Sequence, residues 1–151
     1  MASKFPLEAV LRQRRRREEE RQLELAALER ELVAQKEARA RLVETLERSL
    51  NQLREEQARP RLDMTAITTL LTYNASLKNS VDALEEAIAR TEEKCQEARE
   101  RLLQASKEVK AIEKLEEWWA DTQRREWLRQ EDLALAEAAT SQFIRRLGMT
   151  G

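Results

Sequence analysis

The chain of 151 residues has no histidine, two glycines, two prolines, one cysteine and only 4% aromatic residues. Each shortage closes a class of function. Without histidine, the commonest general base and metal ligand is missing. Glycine stands only at 148 and 151, so no glycine-rich loop can cradle a phosphate. A lone Cys95 forms no internal disulfide and fits a reducing compartment. Its place on an apolar stripe reads as a small buried hydrophobe, not a nucleophile. No apolar run approaches the roughly 20 residues of a membrane span, and the N-terminus lacks the apolar core of a secretory signal. The expectation is a soluble, cytoplasmic protein without catalytic residues, cofactor or metal. A catalytic carboxylate pair would need a pocket, so the many glutamates read as a solvated face. The chain is not expected to be an enzyme.

What is present is charge and leucine. Charged residues make up 38% of the chain, with alanine, glutamate, leucine, arginine and glutamine dominant, as in long helices and coiled coils. Twenty-eight basic residues against 29 acidic ones leave a net charge of −1. That balance gives no general attraction to nucleic acid or to an anionic membrane.

The stretch from Leu70 to Ile112 organises the rest. At alternating steps of four and three it runs Leu70, Asn74, Leu77, Val81, Leu84, Ile88, Thr91, Cys95, Ala98, Leu102, Ala105, Val109 and Ile112, about six heptads without glycine or proline. A stripe this narrow is a coiled-coil seam. A second seam reads Leu7, Leu11, Arg14, Glu18, Arg21, Leu25, Leu28, Leu32, Gln35, Arg39, Leu42, Leu46, Ser49 and Leu53. It is apolar at both ends and polar from Arg14 to Arg21. Pro6 suits the first turn of its helix. Pro60 disfavours helix in the residue before it, so this helix should end near Ala58 or Arg59. Asp63 or Thr65 can cap the next.

Folding the chain back about Pro60–Asp63 tests the two seams against each other. Leu53 then meets Leu70, Leu46 meets Leu77, Leu42 meets Val81, Leu32 meets Thr91, Leu28 meets Cys95 and Leu11 meets Ile112, all in one register. Polar Ser49 falls opposite polar Asn74, and such a pair can fix register at some cost in stability. The expected fold is therefore all-α, an antiparallel two-helix coiled-coil hairpin forming a single domain. Its helices cover about 6–58 and 65–147, joined by a turn over about 59–64. Met1 to Lys4 should be loose, and Gly148 can terminate the second helix.

The second helix is the longer one, about 80 residues or roughly 120 Å, and about 28 of them overhang. Phe5 lies opposite roughly Trp118, and Trp119 should close the open end against Phe5 and Leu7. Trp118 and Trp127 point to opposite sides of the helix at about 100° per residue, so at least one should stay exposed as a partner contact. Leu128, Leu135, Ala139, Phe143 and Leu147 add a weaker apolar stripe. The run Arg12, Arg14, Arg15, Arg16 and Arg17 is the strongest basic signal. Glu18, Glu19 and Glu20 stand one turn from Arg14, Arg15 and Arg16, which favours a self-neutralised surface over a nucleic-acid or membrane site. An acidic protein partner is the third reading of these arginines.

The run from Phe5 to Arg12 (FPLEAVLR) followed by an Arg/Glu-rich helix resembles the start of the flagellar export protein FliJ family. So do Lys110 to Glu117 (KAIEKLEE), the Arg/Glu-rich run from Thr122 to Asp132, and the close at Phe143. The likeness covers nearly the whole chain, although Trp118, Trp119 and Trp127 stand where charged residues or tyrosine would be expected. The resemblance implies a cytoplasmic, non-enzymatic component of the flagellar type III export apparatus, similar to the central stalk of rotary ATPases. Its partners would be a hexameric export ATPase, a transmembrane export gate and export chaperones, at the cytoplasmic face of the membrane. Tyr73 and Leu77 look like the family's apolar gate-contacting positions. Arg14 to Arg17, Trp118, Trp127 and Phe143 would then enter the ATPase ring. The stalk of a virulence-type secretion system and a generic coiled-coil scaffold are the alternatives.

Overall fold

The computed structural model describes residues 4–150. Met1, Ala2 and Ser3, part of the segment expected to be loose, lie outside the described residues. Two helices account for nearly everything else: α1 from Glu8–Ala58 and α2 from Met64–Thr150. They pack as an antiparallel all-α hairpin in which α2 is the longer helix.

The connection follows from a few local bonds. Pro60 has no N–H to offer a helix, and the last turn before it closes through the Arg59 N–H on the Glu56 carbonyl at 3.4 Å. Asp63 then caps α2. Its Oδ1 accepts the Ala66 N–H at 3.2 Å, and its carbonyl accepts the Ile67 N–H at 3.0 Å. An aspartate oxygen there satisfies a donor that a helix start otherwise leaves open. At the other terminus of α1, the Phe5 carbonyl accepts the Glu8 N–H at 3.2 Å, and acidic Glu8 occupies the first turn. Gly148 does not end α2, which continues to Thr150. No glycine among the described residues takes the positive φ of a C-terminal cap, so Gly148 stays in the helical region.

Contacts divide the chain into two compact units, Glu19–Gln104 and Met1–Glu18 with Ala105–Gly151. The first contains the turn. Its core is a row of side chains at heptad spacing: Ile67, Leu77, Val81, Ile88, Cys95 and Ala98 from α2, with Leu53 from α1. Burying a leucine or valine fully contributes roughly 1.5–3 kcal/mol. The row includes polar members. Ser49, Asn74 and Thr91 are 5%, 4% and 4% exposed. Thr91 returns its hydroxyl to the Ala87 carbonyl at 3.0 Å, and the Ser49 hydroxyl donates to Asn74 Oδ1. That last bond is the register read from the sequence. Arg39 binds Glu85 through Nη2 at 2.7 Å, and Lys36–Glu92 and Arg99–Glu29 flank the same seam.

The second unit holds both ends of the chain. Leu11, Ala105 and Val109 are its buried residues. Phe5 and Trp119 close it with ring centroids 5.8 Å apart and planes at 59°, a tilted arrangement suited to opposed ring quadrupoles.

Candidate partner-binding surfaces

The arginine run belongs to the unit of the two termini, and its partners lie across the seam. Arg14 and Arg17 both reach Glu108 Oε2, at 3.5 and 3.8 Å, and Arg15 reaches Glu113 at 3.6 Å. The expected pairing with Glu18, Glu19 and Glu20 along α1 is replaced by pairing with α2. Residues that flank a seam point toward the facing helix, where an opposite carboxylate is as near as one a turn away. With half to a third of each side chain exposed, such pairs contribute at most about 1 kcal/mol apiece. Arg16 has no carboxylate within 4 Å among the described residues and stays exposed.

The same unit carries the outer length of α2. From residue 120 to 148 every residue is exposed. Trp118 and Trp127 are 66% and 59% exposed, on opposite sides of the helix, and Phe143 is 63% exposed. Trp119 instead turns inward onto Phe5. Three further exposed side chains, Leu115, Leu133 and Ile144, fall off the stripe read from the sequence. The run from Leu133 to Ile144 has a single charge, Glu137, and is apolar on more than one face. A helix of that kind leaves apolar surface exposed to water.

In the unit of the turn, Tyr73 is 48% exposed and Leu77 is buried. Leu77 packs in the seam, so only Tyr73 of that pair presents its side chain outward. Around Tyr73 lies a feature that the sequence displays but that seam-reading passes over. From Met64 to Leu77 there is no charged residue. Thr68, Thr69, Thr72 and Ser76 line an open groove beside Tyr73. Thr68, Thr69 and Thr72 donate their hydroxyls to the carbonyls of Met64, Thr65 and Thr68, at 2.7, 2.8 and 3.1 Å. Hydroxyls so engaged leave their methyl groups to the surface. Leu62, Met64 and Leu71 are exposed nearby.

Among the described residues there is no group of acidic, cysteine or histidine side chains that could hold a metal, and no helix long and apolar enough to cross a membrane. What the chain offers is surface. Two are distinct in kind, an uncharged face about Tyr73 and an aromatic, leucine-bearing helix beyond Trp119. A family model described as "Flagellar FliJ protein" matches residues 3–148. Comparison with curated proteins and with solved structures finds no match.

Proposed function

The chain belongs to the FliJ family of flagellar export proteins, and from that premise we propose that it is the central stalk of a hexameric export ATPase. The observation that carries this reading is α2 beyond Trp119. A cyclic hexamer has one symmetry axis through its centre, and residues 120–148 form a single helix, exposed throughout, of a shape to lie along such an axis. Trp118 and Phe143 fall on one side of it and Trp127 on the other, all exposed, so contacts are available to ring subunits on two opposite sides. Arg16, with no carboxylate partner among the described residues, adds a cation on the same unit, while Arg14, Arg15 and Arg17 hold the two helices together beneath it.

The turn then serves the export gate. Tyr73 and the uncharged threonine face supply the contact, and Leu77 holds the helix that presents them. In this role the protein works at the cytoplasmic face of the membrane without inserting, performs no chemistry of its own and receives export chaperones as further partners.

The test is the hydrolysis rate of the export ATPase with increasing amounts of the purified protein. Stimulation should saturate near one copy per hexamer, the stoichiometry of an axial element. A well-folded protein that changes neither the rate nor hexamer formation sinks the stalk reading and leaves a scaffold.

A further inference from the structure

We infer that Ser49 and Asn74 are a register lock, the contact that selects one alignment of α1 and α2 from several that the apolar residues accept. Within Glu19–Gln104 the apolar pairs away from the turn do not choose. Slide α2 by one heptad, and Leu53 meets Leu77, Leu46 meets Leu84, Leu42 meets Ile88 and Leu28 meets Leu102. Leucine is matched with leucine or isoleucine as well as before. Ser49 does choose. In the slid alignment it would face Val81, and its hydroxyl would lose the Asn74 Oδ1 that it binds in the fold.

The lock carries the mark of a device kept for specificity. Ser49 and Asn74 are 5% and 4% exposed, and Asn74 Nδ2 is buried without a hydrogen-bond partner among the described residues. An unsatisfied buried donor costs stability in every copy of the protein, and an apolar pair at this level would avoid the cost. A single polar residue inside a coiled-coil seam acts in the same way, giving up stability for one alignment. The exposed pairs Lys36–Glu92 and Arg99–Glu29 agree with the lock, since the slide brings Lys36 toward Arg99. Being half exposed, they are too weak to hold the alignment alone. Asn74 also adjoins Tyr73, so the same contact fixes which stretch of α1 backs the uncharged face. The inference rests on the hairpin and not on the stalk reading.

Distance measurement between two spin labels tests it on the full chain. Glu44→Cys and Glu100→Cys, both at exposed positions, are labelled in a Cys95→Ala background. They lie on opposite helices and are offset along the axis, so a one-heptad slide changes their separation by about 10 Å, the rise of seven residues. The protein with Ser49 and Asn74 intact should show one distance. Ser49→Leu with Asn74→Leu should add a second population shifted by about that amount, and Ser49→Ala with Asn74→Ala carries the same expectation should the leucine pair fail to fold. The transposed pair, Ser49→Asn with Asn74→Ser, rebuilds the bond and should return a single distance. One distance in both apolar pairs, or a transposed pair that splits as they do, overturns the assignment.

Discussion

Two stretches of α2 show how little hydrophobicity alone decides. Between Ile67 and Val109 the most deeply buried side chains are small: Cys95 at 1% exposure and Ala98 at 2%. Farther along the same helix, Trp118, Trp127, Leu128, Leu135 and Phe143 stand in water, with Trp118 at 66%. The difference is phase. Cys95 and Ala98 fall where a heptad faces α1, and Trp118 does not, although Trp119 one step on does and finds Phe5. Past Trp119 there is no α1 to face. Continued in frame from Ile112, the seam passes Glu116 and Trp119 and then reaches Gln123, Glu126 and Gln130, so the heptad stops being apolar near the end of the hairpin. The first stretch is a solved packing problem, and the second keeps its large apolar side chains at the surface.

That comparison can be broken most violently in the seam. Val81→Asp would bury a carboxylate with no partner, a loss expected to exceed about 3 kcal/mol. Far-ultraviolet circular dichroism should show the melting transition displaced far down or gone. The same change on the exposed stretch, Leu135→Asp, should move stability by less than about 0.5 kcal/mol. Comparable melting of the two variants would mean that residues 120–148 are packed in the free protein.

The function of the exposed stretch comes next in size. On the proposed stalk reading, Trp118→Ala with Trp127→Ala should leave the melting temperature unchanged and weaken binding to an export ATPase by about tenfold or more, since an aromatic anchor removed from an interface costs roughly 2 kcal/mol. Titration of ATPase stimulation reads this directly. Unchanged stimulation would move the ring contact to another surface.

Two smaller changes sharpen the boundary between the stretches. Phe5→Ala removes the ring that covers Trp119 and should cost about 0.5–1.5 kcal/mol beyond lost area. Hydrogen exchange should quicken in the first turns of α1, and Trp119 fluorescence should shift to the red. Glu108→Gln takes the shared partner from Arg14 and Arg17. Both pairs are partly solvated, so less than about 1 kcal/mol should be lost, and the loss should shrink as salt is added. A large, salt-insensitive loss would make Glu108 a packing residue.

The hairpin was legible because its information is periodic. Two stripes, one proline and one capping aspartate are local signals, and folding about them sets Ser49 opposite Asn74, the polar pair that the structure joins. The arginines were legible only in part. Arg14 and Glu18 are neighbours in any helix, but Glu108 becomes a competitor only after α2 has been laid alongside, and it takes both Arg14 and Arg17. Leu77 shows the same limit from the other side. As an apolar residue near the turn it reads equally as a seam member and as a contact surface, and packing put it in the seam.

By itself, then, the sequence determined the helices, the turn and the seam, each written in residues a few positions apart, and folding the two seams about the turn set Ser49 opposite Asn74. Tertiary structure decided which charges neutralise which, and that Leu77 packs in the seam instead of facing outward beside Tyr73. Those outcomes depend on what stands opposite a side chain, and spacing along one helix carries no record of the other.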